Sequence, residues 1–129
     1  MADKTVVRTE AAPAPFQGAP YSQAIKANGF VFVAGQVALK PGDKDISGTT
    51  IQEQTEQALA NLGAILEAAG SGFDRLVKTT VFLQHLDDFQ GMNEVYAQKV
   101  GEQPPARSTV EVAKLPSGAL VEIEAIALA

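Results

Sequence analysis

Leu120-Val121-Glu122-Ile123-Glu124-Ala125-Ile126-Ala127-Leu128 is the stretch that decides the fold. Side chains of a strand alternate between its two faces, so Val121, Ile123, Ala125 and Ala127 share one face while Leu120, Glu122, Glu124 and Ile126 share the other. Both faces are substantially apolar, the pattern of a strand covered on both sides. The two glutamates stand out. A carboxylate placed on such a strand loses hydration and needs compensation, so it marks either an ion pair or a ligand site.

Working outward, Ser108 to Lys114 reads as another strand, and Leu115-Pro116-Ser117-Gly118 has the composition of a hairpin turn between the two. Alternation places Arg107, Thr109 and Glu111 on one face. In a hairpin centred near Pro116 and Ser117, Glu122 lies within about two residues of the position opposite Thr109 or Glu111. An arginine fork and a carboxylate would then flank one small cleft, the first matching a carboxylate ligand in bidentate fashion, the second accepting a proton or orienting water. The competing reading is an exposed ion pair of Arg107 with Glu111 or Glu124.

Farther upstream, residues 1 to 20 are polar and interrupted by proline, and Phe30 to Ala34 reads as an internal strand. Thr50-Ile51-Gln52-Glu53 matches a capping box. It opens a helix whose apolar stripe is Ile51, Ala58, Leu59, Leu62, Ile65, Leu66 and Ala69, stopped by Gly70 and Gly72. Val77 to Leu83 reads as a strand. Asp87 or Asp88 is expected to cap a shorter helix that turns Phe89, Met92, Val95, Tyr96 and Val100 inward and ends at Gly101. The order strand, helix, strand, helix, strand, strand predicts an α+β domain, one mixed sheet with two helices on one face, occupying residues 1–129 as a single unit. Two helices leave the other face of the sheet uncovered, which predicts a homo-oligomer.

Composition narrows the function. The 129 residues carry a net charge of −5 with dispersed basic groups, so nucleic acid is not an expected partner. There is no cysteine and one histidine, His85, which removes thiol chemistry and the usual zinc sites, and no metal cofactor is expected. His85 reads as a loop residue, without a triad-like partner. No stretch approaches the ~20 apolar residues of a membrane span. The N-terminal residues resemble neither a secretory signal nor a transit peptide, so a cytoplasmic location is expected. Tyr21 after Pro20 reads as a cleft-rim or loop residue, and Asn93 as a short-helix residue that either lines a site or faces solvent.

Read together, Ala19-Pro20-Tyr21-Ser22-Gln23-Ala24, Val33-Ala34-Gly35-Gln36, Val77 to Leu83, Asp88-Phe89 with Asn93, Pro105-Ala106-Arg107-Ser108, Val110-Glu111-Val112-Ala113 and Ile123 to Ala127 resemble the Rid proteins, and within them the reactive intermediate deaminase A (YjgF-type) group. The resemblance runs over nearly the whole chain. It implies a chorismate-mutase-like fold, a homotrimer whose sheets form a central barrel, and active clefts between neighbouring subunits. It also implies hydrolysis of reactive enamines and imines, such as 2-aminoacrylate and 2-iminopropanoate, to 2-oxo acids and ammonia, protecting pyridoxal-phosphate enzymes and needing no cofactor.

Carried over by position, Arg107 matches the arginine that grips the substrate carboxylate and Glu122 the glutamate that orients water. Tyr21 and Asn93 match cleft-lining residues, and Gly35 a glycine whose backbone approaches the ligand. Ala34 and Thr109 fall at substrate-contacting positions where many members carry serine and cysteine, a departure expected to alter substrate preference. Three rivals compete. A chorismate mutase would need a second cation for its dianionic substrate, and the only arginines are Arg8, Arg75 and Arg107. A non-catalytic carboxylate binder or chaperone-like trimer would need Arg107 but not Glu122. A ribonuclease is disfavoured by the acidic balance and the lone histidine.

Overall fold

Six strands and two helices follow the chain in the computed structural model, which describes residues 3–129. They are β1 (Thr5–Val7), β2 (Ala24–Ala27), β3 (Phe30–Gln36), α1 (Ile51–Ala68), β4 (Leu76–Leu83), α2 (Phe89–Val100), β5 (Ala106–Glu111) and β6 (Val121–Leu128). The strands form one mixed sheet in the order β1-β2-β3-β6-β4-β5, all neighbours antiparallel except β4 and β5.

α1 forms as its sequence dictates. The Glu53 amide donates to Thr50 Oγ1 at 3.1 Å while Glu53 Oε1 accepts from the Thr50 amide at 3.1 Å, the reciprocal pair of a capping box. At the other end Gly70 adopts φ +80°, Ser71 N–H reaches Leu66 O at 2.8 Å and Gly70 N–H reaches Glu67 O at 2.9 Å, a Schellman closure. All seven stripe residues are buried.

α2 departs from expectation at its start. Asp88 is the N-cap residue but its side chain makes no capping bond, and Glu111 Oε1 instead accepts from the Leu86 amide at 2.9 Å in the 3-10 turn Leu86–Asp88. Met92, Val95, Tyr96 and Val100 are buried, whereas Phe89, in the first turn, stays 39% exposed.

The expected hairpin does not form. β5 and β6 never pair; β4 lies between them, and β5 joins β4 in parallel through the α2 crossover. Burial accounts for the exchange. β6 is apolar on both faces and takes the central place between β3 and β4, where both its backbone edges are bonded. β5 exposes Ala106, Ser108, Val110 and Glu111 and suits the sheet edge.

Both helices cover one face. Val31, Val33, Val81, Leu83, Val121, Ile123, Ala125 and Ala127 pack there against the α1 stripe and the buried face of α2. The opposite face lies open, and the registered residues Val6, Ile25, Phe32 and Ile126 cross it as an apolar row. Phe32, Val110 and Leu128 are each 43% exposed there.

β1 and β2 carry no strong sequence signal, and a buried amide holds the segment between them. Gln23 Oε1 accepts from Thr9 N–H at 2.7 Å, and Nε2 donates to the carbonyls of Thr9 (3.0 Å), Ala12 (3.3 Å) and Pro13 (2.8 Å). Those backbone groups would otherwise lack protein partners under the fold.

Candidate functional site

Register divides the singled-out residues into two groups. Arg107 and Thr109 pair with Thr79 and Val81 of β4, whose side chains are buried on the helix-covered side, so both belong to that side at the sheet edge. Glu122 pairs with Phe82 and lies on the open side. β4 separates their strands, which sets the backbones roughly 10 Å apart at ~4.8 Å per strand step. One copy of the chain does not bring Arg107 and Glu122 into one cleft. The single-chain cleft expected from a hairpin is thereby corrected, because it required β5 and β6 to be adjacent.

Arg107 rests on aromatic rings. Its Cζ lies 4.7 Å from the Tyr96 ring centroid and 5.4 Å from that of Phe89, within cation–π range. Among the described residues no carboxylate lies within ion-pair distance of it; the ion pair they contain joins Lys99 and Glu56 at 2.7 Å. The expected alternative pairings fail for stated reasons. Glu111 is engaged by the Leu86 amide, and Glu124 shares the open face with Glu122. Asn93 lies between Phe89 and Tyr96 at i+4 and i−3, hence on the same helix face as those rings.

On the open side, Ala34 and Gly35 form a bulge. Val33 pairs with Ala125 and Gln36 with Ile123, so two residues of β3 stand against Glu124 alone. The bulge brings Gly35 under the Glu122 carboxyl, where a Cβ on Gly35 would lie 2.8 Å from Glu122 Cδ and nearer still to Oε2. Only glycine leaves that space. Burial, with the neighbouring Glu124 carboxylate second, raises the Glu122 pKa above the usual glutamate value of 4.5.

Tyr21 stands beside this group. Its hydroxyl accepts from the Phe16 amide at 2.6 Å, and its ring lines an open-face hollow of about 450 Å³ together with Ala34, Phe32 and Ser22. A smaller hollow of about 30 Å³ joins Tyr21 to Gly35. Arg107 lines neither of these hollows. His85 is exposed in the loop after β4. Among the described residues no three acidic or histidine side chains gather as metal ligands, and no helix is long and apolar enough to cross a membrane.

Sequence reading passed over three contributors. Phe89 and Tyr96 were expected only as core, yet they carry the guanidinium, and Glu111 was expected as an ion-pair partner, yet it caps a turn. The 89-93-96 spacing was available as a signal; the partner of that helix face was not.

Fold and site define an α+β domain of one mixed sheet and two helices, with an acid-free guanidinium on one side and a bulge-seated carboxyl on the other. A family profile described as Endoribonuclease L-PSP matches residues 9–129, and the chain belongs to that family, the Rid (YjgF/RutC) proteins. It is 52% identical over 124 residues to a RutC family protein of Pyrococcus horikoshii, covering 96% of this chain and 97% of the relative. It is 48% identical over 124 residues to the chloroplastic Reactive Intermediate Deaminase A of Arabidopsis thaliana, covering 96% and 65%. With the 2-iminobutanoate/2-iminopropanoate deaminase of Mus musculus the identity is 43% over 125 residues, covering 97% and 91%.

Among solved structures, the Rid-family protein YyfA of Yersinia pestis, of unknown function, superposes with TM-score 0.91 at 44% identity, covering 98% of this chain and 99% of that one. TdcF of E. coli with bound serine gives TM-score 0.88 at 36% identity, covering 97% and 98%.

Proposed function

We propose that this protein hydrolyses 2-imino acids and their enamine tautomers to 2-oxo acids and ammonia, in clefts that pair Arg107 of one copy with Glu122 of another. The observation that carries the reading is the unpaired Arg107 guanidinium, held by aromatic faces with its hydrogen-bonding edge uncommitted. A planar fork of this kind fits a ligand carboxylate. The deaminase names of the Arabidopsis and mouse relatives support the reaction, and serine bound to TdcF supports a small amino-acid-like ligand.

Residues 1–129 act as one domain, and the assembly is a homotrimer whose open sheet faces close into a central barrel. Two features support the assembly: the exposed apolar row through Phe32, and the placement of Arg107 and Glu122 on opposite faces of one sheet.

Arg107 anchors the carboxylate, assisted by Asn93 and Thr109 at the cleft edge, while Tyr21, Ala34 and Gly35 border the reacting end. The carbon of a protonated imine is already electrophilic. Glu122 takes a proton from water as the oxygen bonds to that carbon, and the C=N π electrons move to nitrogen. The carbinolamine then collapses: the glutamate returns its proton to nitrogen, the C–N bond breaks as the oxygen lone pair forms the C=O bond, and the hydroxyl O–H proton passes to the departing ammonia, which leaves as ammonium while the glutamate is again a carboxylate. No electrons are exchanged with a cofactor. Such imines also hydrolyse in free water, so the site need remove only a few kcal/mol of barrier, at ~1.4 kcal/mol per tenfold. A raised Glu122 pKa makes its carboxylate a better proton acceptor than an ordinary one.

The test generates 2-aminoacrylate in place with a serine dehydratase and follows 2-oxo-acid formation. Arg107→Ala should lose about 10- to 150-fold in kcat/KM, the worth of a charge-assisted pair. Equal rates for wild type, variant and buffer would remove the enzymatic reading, and carboxylate binding without turnover would leave a binding protein.

A further inference from the structure

Arg107 does not stand alone; the two strands and the helix around it form a bracket. Thr79 is its register partner on β4, on the same face, and Thr79 Oγ1 lies 2.6 Å from the Tyr96 hydroxyl in a hydrogen bond that is buried on all sides. Tyr96 is 5% exposed and Thr79 1%. The bond ties the far end of the tyrosine to the strand beside Arg107, while the ring face meets the guanidinium at 4.7 Å. Three residues from β4, α2 and β5 therefore close a triangle.

This geometry has a chemical consequence. A guanidinium stacked on a ring uses its flat face, whereas its N–H donors lie in the plane at its edge. A ring face under the Cζ thus restrains the guanidinium without consuming a donor. A salt bridge would fix it equally well but would occupy the edge a ligand carboxylate needs. An arginine side chain free in solvent would have to surrender its rotamer freedom when the ligand arrives, and holding it beforehand removes that cost from binding.

We propose that Tyr96, locked by Thr79, is a positioning residue that presents the Arg107 fork to the substrate carboxylate. The inference rests on the reading of Arg107 as the carboxylate grip and deepens it. Tyr96 acts through Arg107 and touches no reacting atom. Phe89, 39% exposed on the other ring contact, lacks any tether of this kind and is the weaker support.

The experiment measures binding of 2-oxobutanoate, a non-reacting carboxylate of the product class, by calorimetry, alongside kcat and KM with the imine generated in place. Tyr96→Leu removes the ring face and should weaken 2-oxobutanoate binding about 3- to 30-fold, the range of a partly desolvated cation–π contact, while kcat moves by less than about threefold. Tyr96→Phe and Thr79→Val each remove only the hydrogen bond and should weaken binding by a similar, smaller factor. Their double variant should be no worse than either single one, because both delete the same bond. Thr79→Ser should retain wild-type binding. A ring-current shift of the Arg107 Nε–H resonance, present in the wild type, should collapse in Tyr96→Leu.

Wild-type affinity in Tyr96→Leu would overturn the proposal. Should that variant fail to fold, wild-type affinity in both Thr79→Val and Tyr96→Phe would overturn it equally. The underlying reading fails differently: if Arg107→Ala binds 2-oxobutanoate as tightly as the wild type, the carboxylate grip itself is wrong. A loss in Arg107→Ala without one in the Tyr96 and Thr79 variants refutes the positioning role alone.

Discussion

Glu122 is the residue whose environment most constrains its chemistry. Burial and the nearby Glu124 raise its pKa, so the folded chain holds its proton more tightly than the unfolded chain does. The contribution of such a group to stability is present below the unfolded-state value and is lost as pH rises through the higher folded-state value. At neutral pH the ionised side chain therefore opposes folding. Glu122→Gln should raise the thermal midpoint at pH 7, and the gain should vanish by about pH 3, where the glutamate is protonated in both states. Activity should respond in the opposite sense. The acid limb of the kcat/KM profile should fall above 4.5 in the wild type, and Glu122→Gln should lose both that limb and most of the rate. Calorimetric melts at the two pH values and a pH–rate profile check this; a variant less stable than wild type at pH 7 would contradict it. The sequence exposed Glu122 as an anomaly, since a carboxylate on a two-sided apolar strand is conspicuous. It could not expose the Gly35 seat, because a bulge is a property of pairing between β3 and β6 and neither strand encodes it alone.

Among the elements, α1 and α2 start by different means. Thr50 closes a reciprocal cap, whereas Asp88 caps nothing and Glu111, from another strand, satisfies the turn before α2. Thr50→Ala should cost about 1 kcal/mol, and Asp88→Ala should fall within the ±0.5 kcal/mol typical of surface substitutions. Urea unfolding at one fixed protein concentration compares them, since association would otherwise shift the midpoints. An Asp88 loss as large as that of Thr50 would mean the side chain caps after all. The contrast explains what was legible. α1 is specified by local signals, a cap, a 3.6-residue stripe and a glycine stop, and all three lie within its own residues. The hairpin reading of β5 and β6 failed because turn composition between two strands does not say whether a third will separate them. β1 and β2 escaped notice for a related reason: at three and four residues they are short, and Gln23 holds the segment between them by long-range bonds.

For the whole molecule the question is whether two groups on opposite faces of one sheet serve one substrate. Fold and two-sided apolar sheet were both readable from the sequence, because alternation along β6 is a local pattern; the placement of Arg107 and Glu122 on opposite faces was not readable from spacing, because it follows from which strands are neighbours. If each cleft takes Arg107 from one copy and Glu122 from the next, a closed ring allows complementation between two impaired variants. Arg107→Ala and Glu122→Gln would each keep only a residual rate alone. Unfolded together and refolded as a mixture, they create clefts in which the first copy supplies the intact glutamate and the second the intact arginine. With random equal mixing about one cleft in four is whole, so activity should return to about a quarter of the wild-type level. If both residues of a cleft came from the same copy, every cleft in the mixture would still lack one of them and no activity would return. Phe32→Glu, which places a charge in the open apolar row, serves as the assembly control: light scattering should show a smaller particle, and activity should fall although Arg107 and Glu122 are both intact. A mixture that stays at the residual rate while light scattering shows full co-assembly would refute the shared cleft, and a monomer with undiminished turnover would refute the need for a second copy.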